Sequence, residues 1–323
     1  MHLKTSTSVL LLILLVCIAH GISLFNNYNI DDELVIENND RIAFALEDIP
    51  GIFTSHYIST ETVKADYRPL TILMFAIEYN WFPDSPGFSH FLNILCFCLF
   101  IWSLYAFVFS ISKSESFAFL VASIFACAPH TTEVVASIKN RDEILALLFM
   151  TLAALQTHKL LLDNKKIRLL TIAILTIASI LFKSTALPFS LLYLLFLASY
   201  QFPLKKLASV FITQILSILI VAVFIAVVLK SPFRQGYFLE DPLAYSNNLL
   251  EQIGLALNTM LHYSAKMLLP LRFGFYYGYN QITVQSVFNL LPIVSFFFHF
   301  LVDHLDYKDK DQTVYHSLDI IYY

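Results

Sequence analysis

Hydrophobic residues in this chain gather into runs of close to 20, broken by short polar stretches. A helix of about that length covers the hydrocarbon core of a bilayer, so each run is a candidate span. The runs fall at 8–25, 88–110, 116–130, 143–161, 168–182, 184–200, 207–229 and 284–302. A further run, 251–271, carries Glu251, His262 and Lys266, and its pattern suits either a span or a helix lying in the interface. No internal repeat is present, and no stretch reads as an independent soluble domain. The pattern predicts an all-α polytopic membrane protein, a bundle of about eight or nine transmembrane helices over residues 1–302, with a short charged tail at 303–323.

The polar interval 26–87 has structure of its own. Ile42, Ala45, Leu46 and Ile49 recur at helical spacing, and so do Leu70, Leu73, Met74, Ile77 and Trp81 after Pro69. Proline suits a first helical turn, where its missing N–H has no partner to lose. Both segments are too short or too charged to span, and helices lying in the interface are expected.

Composition narrows the class. Apolar residues make up 58% of the chain and charged residues only 14%, with a mean hydropathy of +0.68. A soluble domain carries about 25% charged residues. These values exclude a disordered chain, a secreted disulfide scaffold and a nucleic-acid binder. Seven glycines argue against a glycine-lined nucleotide site. Cys17, Cys96, Cys98 and Cys127 all lie inside apolar runs, so buried apolar use is expected. Cys96 and Cys98 are two residues apart on a predicted helix and face different ways, a poor metal pair. Ala19-His20-Gly21 makes no small-residue cleavage site, so the first run is read as an uncleaved span.

Charge is placed unevenly. Of 24 acidic residues, 11 fall within 26–87. With the N-terminus cytoplasmic, the inner segments hold Lys4, Lys113, Lys159, Lys165, Lys166, Arg168, Lys205 and Lys206. The acidic interval, the 131–142 turn, the 230–250 loop and the turn at Lys183 then share the outer face.

Four places on that face could carry chemistry. Asp31-Asp32-Glu33 could act as a general base, a cation site or a solvated acidic turn. Arg68, within Asp66-Tyr67-Arg68-Pro69, is suited to a bidentate contact with phosphate or carboxylate, and pairing with a nearby acid is the simpler alternative. Pro129-His130-Thr131-Thr132-Glu133 and Lys139-Asn140-Arg141-Asp142-Glu143 make one dense ionisable turn, a shared polar pocket or a set of snorkelling anchors. Lys183 opens the polar island Lys183-Ser184-Thr185 and needs an anionic partner, from a lipid phosphate or a protein carboxylate. The aromatic string from Phe273 to Tyr279 reads as an interfacial belt.

Taken in order, these motifs resemble the membrane glycosyltransferases of the C superfamily (GT-C), in the protein O-mannosyltransferase-like branch, and within it the transmembrane and tetratricopeptide-repeat proteins. The resemblance covers residues 5–300. It rests on Asp31-Asp32, on Tyr67-Arg68-Pro69-Leu70-Thr71, on Gly87 to Asn93, on Ala128-Pro129-His130-Thr131-Thr132-Glu133-Val134-Val135 with the charged stretch after it, on Lys183, and on Leu268 to Tyr279. The two family histidines fall on Ala128 and Thr131, with His130 between them, and the family glutamate after the lysine falls on Ser184. No helical-repeat pattern follows the membrane part.

The resemblance implies transfer of a sugar, mannose or another hexose, from a polyprenyl-phosphate carrier to a hydroxyl on an acceptor protein or glycan at the outer or luminal face. Asp31 or Asp32 would be the base, with Glu133 orienting the acceptor or the base. Tyr67, Arg68, His130, Arg141, Asp142 and Lys183 would meet substrate. A divalent cation on Asp31 and Asp32 is compatible but not required. A catalytically degenerate, truncated scaffold of the same family is the alternative. A transporter is disfavoured, because charges gather at one face and glycine is scarce within the spans. The lipid bilayer is the expected setting, a bacterial plasma membrane ahead of the endoplasmic reticulum of a eukaryote.

Overall fold

The structure is a computed structural model that describes residues 5–29, 31–32, 35–36, 40–59, 64–198, 202–229, 248–269 and 282–299. It is an all-α membrane protein apart from one short antiparallel pair. The chain divides into two units, Met1–Gln235 and Gly236–Tyr323.

In the first unit, α1 (Thr5–His20) runs on into a 3-10 turn, Gly21–Phe25. Short helices α2 (Asp40–Ala43) and α3 (Ile49–Phe53) follow, then β1 (Ile58–Ser59) paired with β2 (Lys64–Ala65). Then come α4 (Pro69–Trp81), α5 (Pro86–Ser112), α6 (Glu115–Ala126), α7 (Pro129–Ala136), α8 (Arg141–Asp163), α9 (Ile167–Phe182), α10 (Ala186–Ala198) and α11 (Leu204–Leu229). Proline stands in the first turn of α4, α5 and α7. Ser114 caps α6 by accepting from the Phe117 N–H. Lys113 and Asn164 take left-handed conformations that end α5 and α8.

The bundle core joins α1, α5, α6, α8 and α9 through Leu12, Val16, Phe97, Ile101, Met150 and Ile172. Ala118, Ala122 and Ala126 recur every four residues on α6 and are fully buried, so neighbouring backbones approach closely. His20 Nε2 lies 3.0 Å from the Ala126 carbonyl oxygen and ties the end of α1 to the end of α6. Cys17 and Cys127 are exposed and Cys96 and Cys98 are half-buried against the core, less buried than expected.

The interval between α1 and α5 is no loose loop. Val35, Ile36, Ile42 and Ile52 pack on Ile72, Phe75 and Ala76 of α4 and on Ile138, forming a second small core. The expected helix near residues 39–49 is broken into α2, a 3-10 turn at Ala45–Glu47, and α3. Asp48 caps α3 through the Gly51 N–H, 3.0 Å away. The expected helix after Pro69 forms as α4.

The span count is lower than the hydrophobic runs suggested. Among the described residues, four helices are long and apolar enough to cross a membrane: Ser6–Phe25, Pro86–Ser112, Ile138–Asp163 and Leu204–Leu229. The pair α6 and α7, bent by 63°, makes a fifth if counted as one span. At about 1.5 Å per residue, α9 reaches only about 24 Å against a core of about 30 Å. The turn expected at 131–142 contains α7 and the first residues of α8.

In the second unit the helices are α12 (Leu249–Leu268) and α13 (Leu290–His299), with residues 282–289 leading into α13. The α12 run, with Glu251, Gln252, Asn258, His262 and Lys266, is not among the helices apolar enough to span. Asn258 Nδ2 donates to the Thr283 carbonyl at 3.1 Å, Ser295 Oγ to that of Leu257 at 2.6 Å, and Ser264 Oγ meets His299 Nε2 at 2.9 Å. A Cβ on Gly254 would stand 1.9 Å from the Gln285 carbonyl oxygen, so only glycine admits this backbone approach. The 230–247 loop, the string from Phe273 to Tyr279 and the 303–323 tail lie outside the described residues.

A buried ion pair fastens α4 to the bundle. Arg141 is 0% exposed; its guanidinium pairs with Glu78 and donates to Asn93 Oδ1 at 2.5 Å and to the Ser89 carbonyl at 2.8 Å. Removing one partner of such a pair leaves an uncompensated charge. Arg141→Met is expected to cost about 3–5 kcal/mol. Glu78→Gln combined with Arg141→Met is expected to recover much of that loss, read by thermal unfolding in detergent; additive losses would show that the pair is not coupled.

Candidate functional site at one end of the first unit

The charged residues singled out by type come together through three local devices. The first is the turn that carries the acidic pair. Asp32 is fully buried, and its carboxylate accepts from the Asn29 N–H at 2.9 Å and the Lys139 N–H at 2.8 Å. It therefore pins the turn to the segment just before α8. Asp31, one residue away, is exposed and pairs with the Lys139 ammonium. Adjacent carboxylates thus have different surroundings.

The second device is the start of α4. Arg68 precedes Pro69 and donates to Asp142 Oδ2 at 2.7 Å, and it also pairs with Asp66. Asp66 holds a φ of +57°, a left-handed conformation that Asp tolerates better than most residues. The guanidinium lies 4.6 Å from the centre of the Tyr57 ring. Burial works against the Arg68 charge, and Asp142 and Asp66 outweigh it, so the group is held above its usual value. Burial, and then Asp142, push the Tyr57 hydroxyl up.

The third is the break between α9 and α10. Thr71 Oγ1 donates to the Phe182 carbonyl at 2.9 Å, which sets the end of α9 against α4. Lys183 then leaves the helix in an extended conformation. Its ammonium lies 3.3 Å from Asp142 Oδ1 and 2.7 Å from Glu143 Oε1. Thr185 Oγ1 donates to Glu143 Oε2 at 2.9 Å. Asp142 is 0% exposed and stands between two cations.

The other sequence candidates lie differently. Arg141 belongs to the buried Glu78 network. Tyr67 donates to the Phe53 carbonyl at 2.8 Å, and its ring tilts against Phe224 of α11 at 6.4 Å. Burial pushes its hydroxyl up to about 12, so it stays a donor at neutral pH. Glu133 is exposed on α7 with Asn140 at 3.5 Å. His130 is exposed and meets Phe125 edge-on at 5.9 Å, apart from the Asp142 cluster. Glu33 lies outside the described residues.

Sequence reasoning missed Glu78, Asn93 and Tyr57. Glu78 was visible as a carboxylate in the otherwise apolar pattern of α4, and nothing in the sequence named its partner.

The acidic pair does not fit a metal as it stands. Both Asp32 oxygens accept backbone N–H groups, and Asp31 is occupied by Lys139. Among the described residues no group of three or more His, Cys, Asp or Glu side chains is arranged to hold an ion.

Comparison with known proteins gives three animal relatives. The chain is 32% identical over 148 residues to protein O-mannosyl-transferase TMTC1 of Homo sapiens, covering 44% of this chain and 17% of that protein. It is 29% identical over 195 residues to protein O-mannosyl-transferase TMTC1 of Mus musculus, 59% of this chain and 19% of that one. For protein O-mannosyl-transferase Tmtc1 of Drosophila melanogaster the identity is 26% over 121 residues, 38% of this chain and 14% of that one. These similarities support a likeness to the TMTC-type, O-mannosyltransferase-like family. The matched region spans less than a fifth of each relative's length. No family profile and no solved structure matches the chain. It is an integral, multi-pass membrane protein.

The contrast between the acidic pair can be measured. Asp32→Asn keeps one acceptor oxygen for two N–H groups. Losing such a partner costs about 1–3 kcal/mol. Amide exchange around Asn29 or Lys139 is expected to speed at least about fivefold in Asp32→Asn and to stay unchanged in Asp31→Asn. Equal protection in the two variants would remove Asp32 as the pin.

Proposed function

We propose that the chain is the membrane part of a transferase that moves mannose or another hexose from a polyprenyl-phosphate carrier to a hydroxyl of an acceptor protein on the outer or luminal face. One observation carries this reading. An exposed carboxylate, Asp31, lies on a turn pinned beside the α8 start, and that start also presents the Arg68–Asp142–Lys183 cluster. The relatives are animal proteins, which supports a eukaryotic membrane over a bacterial one.

The roles divide by exposure. Asp31 is the base, since its carboxylate reaches solvent and is held only by a flexible lysine. It takes the acceptor's hydroxyl proton as the hydroxyl oxygen bonds to the anomeric carbon. The bond from that carbon to the phosphate oxygen breaks, and polyprenyl phosphate leaves. Arg68 and Lys183 stabilise the charge that builds on the leaving phosphate. Asp32 positions the turn, and Glu133, on the exposed side of α7, orients the acceptor. Arg141 acts through the bundle by holding α4.

The scaffold alternative has a specific observation behind it: Arg68, Lys139, Arg141 and Lys183 each already carry a protein carboxylate. Transfer of labelled mannose from polyprenyl-phosphate mannose by the purified chain separates the two. Asp31→Asn is expected to cut turnover by about 10²–10⁴-fold, the usual worth of a general base. Full turnover after changing both Asp31 and Asp32 to Asn ends the catalytic assignment. Absence of transfer with every hexose donor tried favours the scaffold.

A further inference from the structure

Asp142 is the least accessible carboxylate of the cluster and the most shared. One oxygen accepts from Arg68 at 2.7 Å and the other faces Lys183 at 3.3 Å. Each cation also holds a second carboxylate, and those differ in kind. The side chain of Asp66, on Arg68, is 44% exposed, and that of Glu143, on Lys183, is 30% exposed. Asp142 is fully buried, and swinging it into water would take from both cations the one carboxylate they share. Asp66 and Glu143 are partly exposed and can turn outward into water while Asp142 keeps both cations paired.

Two cations therefore face three carboxylates. A phosphate brought to this cluster would be repelled if all three stayed. It fits if it takes the donors that Asp66 and Glu143 now hold, while Asp142 continues to grip both cations from below. We propose that Asp142 is a positioning residue that holds Arg68 and Lys183 together as a clamp for a phosphate group, and that Asp66 and Glu143 are stand-ins which the phosphate displaces. This rests on the reading of this end of the bundle as the donor-phosphate site. It goes beyond it by giving the three acids opposite effects on binding. Thr185, which donates to Glu143, holds that stand-in in place until the ligand arrives.

The source of the phosphate is a lipid head group. Arg68 follows Tyr67, whose ring rests on Phe224 of α11, and Phe224 lies near the end of an apolar helix that is mostly uncovered by protein. An isoprenoid tail can lie on that helix while its phosphate reaches Arg68.

The test is equilibrium binding to the full chain in detergent micelles, by calorimetry, with farnesyl phosphate, farnesol and inorganic phosphate as probes. Farnesyl phosphate is expected to bind at least tenfold tighter than either of the others. Asp66→Asn combined with Glu143→Gln is expected to tighten farnesyl phosphate at least fivefold. Asn suits the left-handed backbone at position 66, and both side chains are partly exposed, so this variant folds. Asp142→Asn is expected to weaken binding at least tenfold, and Asp142→Glu to restore part of it. A general loss of structure would weaken all variants together, so the opposite signs are diagnostic.

Unchanged or weaker binding in the Asp66/Glu143 double variant overturns the proposal, and this variant decides even where Asp142→Asn fails to fold. Farnesol binding as tightly as farnesyl phosphate overturns the clamp. Inorganic phosphate binding as tightly overturns the lipid source. Sugar transfer is kept out of the readout. Phosphate binding in the expected order without any transfer keeps the clamp and loses the transferase. Transfer accompanied by indifference to the double variant keeps the transferase and loses the clamp.

Discussion

A guanidinium with no exposure, in a bundle surrounded by apolar side chains, must have its charge and its N–H groups satisfied by the protein. Arg141 imposes this condition, and Glu78, Asn93 and the Ser89 carbonyl meet it, with Phe75 offering a ring face 5.0 Å away. Glu78 comes from α4 and Asn93 from α5, so the pairing fixes α4 against α5 and α8. The consequences spread outward. Asn93 uses its amide donors on the carbonyls of Val135 and Ser137. That sets the path of the chain from α7 into α8, and with it the Lys139 N–H that Asp32 accepts. The acidic turn is thus placed by a charge pair that it does not touch.

The sequence made the local parts legible and left the long-range pairings hidden. Pro69, Pro86 and Pro129 announce helix starts, and the apolar spacing after Pro69 predicts α4. Arg68, Asp142 and Lys183 stood out by residue type. Glu78 did not, because its partner lies 63 positions away and no periodicity links the two. Asp31 and Asp32 were equivalent in the sequence; only the docking of Lys139 separates an exposed carboxylate from a buried one. His130 stood out for the opposite reason. It occupies a position between two family histidines, and its ring faces Phe125, away from the Asp142 cluster.

Among the described residues fewer helices are long enough to span than hydropathy suggests, for a related reason. A window that reads composition cannot see where a helix ends, and the apolar stretch from 168 to 200 is interrupted at its polar island. Lys183 adopts an extended backbone there, so α9 ends shorter than a bilayer is thick. The break has a chemical use. A continuous helix through this stretch would carry Lys183 along its side, with the neighbouring backbone groups engaged in helical bonds. The interruption, anchored by Thr71 on the Phe182 carbonyl, instead lets the ammonium turn toward Asp142 and Glu143.

The same asymmetry occurs twice in the cluster. Asp32 is buried and bound by backbone donors while its neighbour Asp31 is exposed. Asp142 is buried between two cations while Asp66 and Glu143 are exposed on the far sides of those cations. In each case the buried acid has no freedom to change partners, because any move leaves a polar group or charge unsatisfied at low dielectric. The exposed acid can exchange its partner for water, and so for a ligand. A site built this way has its geometry fixed before substrate arrives and still has groups able to respond to it. Counting carboxylates overstates the negative charge that a bound phosphate would meet, since the acids that can leave are those nearest the solvent. The acid that stays is the one that keeps Arg68 and Lys183 within reach of the same group.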